Sequence, residues 1–168
     1  RSSDLDDVDD AEFLDGLVEQ GHGAYELAFV KDFPWNEKRC AAFGKAAADR
    51  GVALSVHAPY FAILTVEDED KRKQCLAALE HTMKLGRALG AHTIVAHTGH
   101  VGERSGDQLH ELVAEGLTRI EPKVSALGVA LGLETSGTER AFGSLGDNAL
   151  ISNRFSFVRP VIDWSHVH

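Results

Sequence analysis

The amino-acid sequence predicts an α/β fold, a set of parallel strands and covering helices that forms part of a (β/α)8 barrel. Three observations predict it. Short apolar runs alternate with longer stretches of helical spacing from one end of the chain to the other. Four of those runs end at or near His57, His97, Glu134 and Asp163. No Gly-x-Gly-x-x-Gly follows the first run, so the dinucleotide crevice of a doubly wound sheet is not supported. In a barrel the carboxyl ends of the strands converge on one face, where four such side chains can meet. In an open sheet they spread along a line.

The elements follow in order. Residues 3–21 are acidic and then apolar at helical spacing through Phe13, Leu14, Leu17 and Val18, with Ser2 or Ser3 as cap and Gly21 as stop. Residues 24–30 (AYELAFV) read as a strand. Residues 36–50 read as a helix stopped by Gly51, and 52–58 (VALSVHA) as a strand stopped by Pro59. A long helix spans 68–89, with Leu76, Leu79, Met83 and Gly86 on one face and Gly90 as its end. Residues 93–97 (TIVAH) are the next strand, 107–127 the next helix, and Gly128 its stop. Residues 129–134 (VALGLE) are a strand, followed by a Gly-containing loop over 136–146. A weaker helical stretch leads to Pro160, and 161–164 is the last strand.

Composition bounds the function. The 168 residues are 43% hydrophobic and 26% charged, which suits one globular domain over 1–168. No apolar run is long enough to span a bilayer. Cys40 and Cys75 fall in Ala-rich helical stretches, so free thiols in a reducing cytoplasm are expected rather than a disulfide framework. Arg1 is not a natural start and no charged-then-apolar leader follows it, so a trimmed terminus is expected, not a secretory one. The net charge of −9 by itself argues against contact with a phosphate backbone.

The strand ends carry the chemistry. A charged side chain at the end of a buried strand must be paired, hydrogen-bonded or bound to a metal. Two histidines, a glutamate and an aspartate are ligand types that suit Zn2+ or Mn2+. In Asp163-Trp164-Ser165-His166 the histidine lies in the first turn beyond the aspartate, so both reach one ion or two neighbouring ions. Tyr60, after His57-Ala58-Pro59, and His100, after Gly99, are the substrate-facing candidates. The other histidines read as bland. His81 belongs to a helix surface, His92 to the turn before its strand, and His22 and His110 to solvent; His168 is left open. Glu26 sits mid-strand, either facing the barrel interior or ion-paired in its bottom layer.

The segments Ser55-Val56-His57-Ala58-Pro59-Tyr60, Val95-Ala96-His97-Thr98-Gly99, Leu133-Glu134-Thr135 and Val161-Ile162-Asp163-Trp164-Ser165-His166 resemble successive strand-end motifs of the endonuclease IV family. This family, AP endonuclease family 2, is a branch of the xylose-isomerase-like TIM barrels, and the resemblance runs over residues 24–168. It implies cleavage of damaged DNA on the 5′ side of abasic sites by a zinc cluster. By motif, His57 and His97 would bind one ion. Glu134 would bridge it to a second and serve the chemistry, Asp163 would hold the second, and His166 a third. The resemblance also implies that about strands two to six of eight are present and that the domain is truncated at both ends. Bare sheet edges would then favour self-association. Sugar and sugar-phosphate isomerases and epimerases of the same superfamily also place a Glu on the fifth strand and Asp-x-x-His on the sixth, so a small sugar is the alternative substrate.

Overall fold

A computed structural model describes residues 3–166, with side chains from Asp10 onward. The expected cap at Ser2 and the open role of His168 lie outside the described residues. Among the described residues seven strands and five α-helices follow one another: α1 (Ser3–Glu19), β1 (Ala24–Ala28), α2 (Glu37–Asp49), β2 (Ala53–His57), α3 (Glu69–Leu89), β3 (Thr93–His97), β4 (Gly99–His100), α4 (Gly106–Val124), β5 (Ala130–Glu134), β6 (Ala141–Phe142), α5 (Leu145–Ser152) and β7 (Val158–Val161).

The helices begin and end for local reasons. Asn36 caps α2 by accepting the Arg39 N–H at 2.9 Å, and Asp68 caps α3 by accepting that of Lys71 at 2.9 Å. Ser105 with Gln108, and Ser144 with Asp147, form reciprocal capping boxes at the starts of α4 and α5. Gly90 ends α3 in the left-handed region at φ 70°, which a side chain would disfavour. A single 3-10 turn, Ser125–Leu127, carries α4 on to Gly128.

The main sheet is parallel, in the order β1-β2-β3-β5-β7. That order is strictly sequential, so the sheet has no topological switch point and curves as an arc of a barrel. Alternation decides what each face does. Leu54, Val56, Ile94, Ala96, Leu131 and Leu133 are at most 5% exposed and meet the helices. Burial of each large one contributes about 1.5–3 kcal/mol. The opposite face carries Ser55, His57, Thr93, Val95, His97, Ala130, Gly132 and Glu134. Gly132 shows how closely that inner face packs, since a Cβ there would lie 2.5 Å from Val161 Cγ2 and 2.8 Å from Thr93 Cγ2.

Two expectations need correction. The last strand is β7, at Val158–Val161 rather than 161–164, and it runs through Pro160. Pro160 has no N–H to give the ladder, yet β7 is the last strand of the described sheet, where a proline is tolerated. Asp163 therefore stands beyond the strand, not within it. The stretch 136–146 is not simply a loop: β6 lies in it and pairs antiparallel with β4, Gly99 opposite Phe142 and His100 opposite Ala141. Among the described residues no helix is long and apolar enough to cross a membrane.

Candidate metal centre

His57, His97 and Glu134 are the last residues of β2, β3 and β5, and parity puts all three on the inner face. His97 and Glu134 are direct register partners, while His57 sits beside Val95. Glu134 Oε2 lies 3.4 Å from His57 Nε2 and 3.1 Å from His97 Nδ1. That oxygen is buried and no donor meets it in hydrogen-bond geometry. A buried carboxylate oxygen without a donor, facing two imidazole nitrogens, is the arrangement a divalent cation satisfies. His57 Nδ1 faces its neighbour's carbonyl, Ala58 O, at 2.7 Å. The proton belongs there in the neutral ring, which leaves the Nε2 lone pair free for a metal ion to take.

Asp163 and His166 arrive from the far side of Glu134. Both belong to the turn after β7, where a 3-10 turn, Trp164–His166, brings His166 Nδ1 to 3.4 Å from Asp163 Oδ2. The Ser165 N–H and hydroxyl both donate to Asp163 Oδ1, at 2.8 and 2.7 Å. Two groups result, His57–His97–Glu134 and Glu134–Asp163–His166, and in each one ligand atom per residue lies within 4.8 Å of the others. Glu134 is common to both.

The electrostatics follow from the same contacts. The Glu134 carboxylate beside His57 raises that imidazole above its ordinary value, against the opposing effect of burial. Burial lowers His97. The contact with His57 lowers Glu134, and the Ser165 hydrogen bonds lower Asp163. Both carboxylates are therefore ionised at neutral pH, as metal ligation requires.

A pocket of about 350 Å³ opens beside this cluster, lined by Tyr60, His97, His100, Glu134, Phe142 and His166 among others. Tyr60 stacks on His97, ring centroids 5.8 Å apart and planes 13° apart, and is itself 62% exposed. His100 is exposed at the pocket wall, its backbone N–H held by Thr65 Oγ1 at 2.8 Å. The β4–β6 ladder forms the adjoining wall. Glu26 lies on the inner face, accepts the Ser55 hydroxyl at 2.8 Å and joins neither ligand group.

His110 is not solvated as expected. Its Nε2 lies 2.9 Å from Asp147 Oδ1 and its ring stands edge-on to Phe142, so it braces β6 against α4 and α5. Sequence reading also passed over Asn148, which is fully buried. Asn148 donates to Leu133 O at 3.0 Å and to Gly143 O at 3.4 Å, tying the end of β5 to the β6 segment. Its signal was present: an amide paired with Ile151 on the apolar face of a short helix.

The xylose isomerase-like TIM barrel family matches residues 14–168. The chain belongs to that family. An uncharacterized protein of Methanocaldococcus jannaschii is 27% identical over 162 residues, covering 95% of this chain and 58% of its own. The chain thus spans little over half the length of that relative. Among solved structures of the fold, D-psicose 3-epimerase from Clostridium cellulolyticum H10, crystallised with D-tagatose, matches 93% of this chain and 58% of its own at TM-score 0.75 and 16% identity. AP endonuclease, family 2, from Brucella melitensis matches 94% and 64% at TM-score 0.68 and 15% identity. At such identities these likenesses speak for the shared xylose isomerase-like barrel alone.

Proposed function

We propose that the whole protein is a zinc-dependent phosphodiesterase that hydrolyses DNA on the 5′ side of abasic sites. The observation that carries this reading is Glu134 shared between two ligand groups. One carboxylate placed to bridge two cations suits in-line displacement at phosphorus, where attacking and leaving oxygens both need charge stabilisation. Bound there, the cations would lower the pKa of a water and neutralise the leaving oxygen. The chain's own residues do the rest. His57, with its proton turned to Ala58 O, presents Nε2. Glu134 contributes a buried, ionised oxygen. Asp163 is held ionised by Ser165, and Tyr60 and His100 border the opening that substrate must enter.

A second reading has its own support. The net charge of −9 opposes a polyanionic substrate, and a pocket of about 350 Å³ has the size of a small-molecule site. A ketose epimerase, the activity named for the Clostridium cellulolyticum protein of the same fold, satisfies both. The paired strand-end histidines His57 and His97 beside Glu134 favour the nuclease, because they complete a first site independent of Asp163.

One experiment separates the two. The whole protein is given a duplex with a single tetrahydrofuran abasic analogue and, in parallel, ketose substrates for 3-epimerisation, each with and without chelator. Chelator-sensitive incision 5′ to the analogue is expected. An uncut duplex with chelator-sensitive epimerisation transfers the case to the sugar enzyme.

A further inference from the structure

Thr135 follows Glu134 and makes no approach to the pocket, yet three of its atoms meet the turn that bears the other ligands. Its backbone N–H donates to Val161 O at 2.9 Å, at the end of β7. Its hydroxyl oxygen accepts the Asp163 N–H at 3.0 Å, and the same hydroxyl lies 3.5 Å from Asp163 O. Its carbonyl oxygen stands 2.9 Å from His166 Nδ1. Thr135 is only 3% exposed, so water cannot replace these partners. Gly137, two residues on, shapes the same seat. A Cβ there would lie 2.5 Å from His166 Cδ2 and 2.8 Å from its Cγ.

We propose that Thr135 is the positioning residue that holds Asp163 and His166 in register with Glu134, with Gly137 leaving the space in which the His166 ring sits. The residue acts through those two side chains and touches neither ion nor substrate. The chemistry is specific. Asp163 and His166 lie beyond the last strand, so no ladder positions them. Without the hydroxyl the Asp163 N–H faces a methyl group in place of its acceptor, and the turn must shift to find another. The carbonyl draws the neutral imidazole's proton to Nδ1 of His166 and leaves Nε2 free. A fixed outer hydrogen bond of this kind sets both tautomer and ring plane, and its loss weakens metal binding about 10- to 100-fold. A threonine directly after the shared glutamate couples the two halves of the centre through one residue. This inference rests on the two-ion reading above and names what keeps its second half assembled.

The test uses the 168-residue chain and the variants Thr135→Val, Thr135→Ser and Gly137→Ala. In the metal-free protein, amide hydrogen exchange at Asp163 and long-range proton–nitrogen NMR correlations of the His166 ring are recorded. Thr135→Val is expected to lose Asp163 amide protection and to mix the His166 tautomers, while Thr135→Ser keeps both. Titration with cobalt(II), followed by its visible spectrum, is expected to show the second equivalent weakened at least about 10-fold in Thr135→Val and in Gly137→Ala, with the first unchanged. Gly137 lies in a partly exposed loop, so its variant reports on the seat even where the valine variant does not fold. Unchanged Asp163 protection in Thr135→Val, an unchanged second equivalent in Gly137→Ala, or equal loss of both equivalents would each overturn the proposal. A parent chain that binds no cobalt would sink the two-ion reading alone, since the metal-free NMR still decides what Thr135 does.

Discussion

At the scale of single residues, Glu134 is the side chain on which both ligand groups depend. Removing His57 and His97 together takes two ligands from one group and leaves Glu134, Asp163 and His166 intact. Glu134→Gln takes a carboxylate from both. Zinc titration by competition with a chromophoric chelator is therefore expected to show one tight equivalent lost in the His57→Ala, His97→Ala chain, and two weakened in Glu134→Gln, each by more than about 100-fold, since outer partners alone are worth 10- to 100-fold. Zinc binding by the double-histidine variant at parental strength would remove these residues from the centre. The two thiols offer a contrast, because neither belongs to the site. Cys40 is fully buried and burial pushes its pKa up to about 11. Cys75 is 7% exposed and donates to Phe61 O at 3.0 Å. Both are expected to ignore a water-soluble disulfide reagent until the chain is unfolded. Fast labelling of the native protein would mean that α2 or α3 opens far more readily than its packing implies.

At the scale of elements, glycines show where helices approach one another. Gly44 on α2 faces the end of α3: a Cβ there would lie 2.1 Å from Leu89 O, a backbone atom that cannot swing away. Gly16 on α1 has nothing within 4 Å of the same position. The same substitution should thus have opposite signs. Gly44→Ala is expected to destabilise by about 1–3 kcal/mol through overpacking, and Gly16→Ala to stabilise by about 0.5–1 kcal/mol through helix propensity. Urea unfolding of both variants checks this, and equal shifts would contradict the close α2–α3 contact. The α3–α4 contact carries a charge clamp as well. Glu80 accepts from Lys123 at 2.8 Å across the helices and from Lys84 at 2.9 Å along its own. The Lys123 contact, first, and then Lys84 hold the Glu80 carboxyl below its ordinary value of 4.5. A depressed folded pKa means that the unfolded chain binds the proton first on acidification. The stabilisation is then present above the ordinary value and is lost as pH falls through the folded one. Glu80→Gln should flatten that part of the acid limb in a pH series of unfolding curves; an identical slope in variant and parent would deny the clamp any role.

At the scale of the molecule, the described sheet has two outer strands, β1 and β7. The outer side of β1 is open to whatever strand it meets, whereas that of β7 is largely satisfied, because the Val158 N–H donates to Phe155 O at 3.0 Å, the Val158 carbonyl accepts from Arg159 at 2.7 Å and Pro160 has no N–H. A chain of these 168 residues is expected to self-associate reversibly as its concentration rises, which sedimentation velocity measures directly. A single monomeric species throughout would mean that the β1 edge is shielded by other contacts. The net charge of −9 opposes that association at low ionic strength, so added salt should shift it toward the oligomer.

The sequence by itself determined the alternation of strands and helices, because apolar periodicity, caps such as Asn36 and Asp68, and stops such as Gly90 and Gly128 are local signals. It also singled out His57, His97, Glu134, Asp163 and His166, because a titratable side chain at the end of an apolar run stands out against its neighbours. It could not say which of these meet. Register does that, setting His97 opposite Glu134 and bringing the turn after β7 to the other side of the same carboxylate. Nor could it find partners far apart in the chain. His110 reads as a solvated residue until α5 brings Asp147 against it, and Asn148 draws no notice until its amide is seen to donate to the backbone at the end of β5. Residues 136–146 read as loop because two-residue strands carry no periodicity; only the fold brings Ala141–Phe142 beside Gly99–His100. What is local, a cap or a strand's alternation, is written within a few neighbouring residues. What assembles the centre depends on contacts between residues far apart in the chain, and those exist only once the sheet has curved.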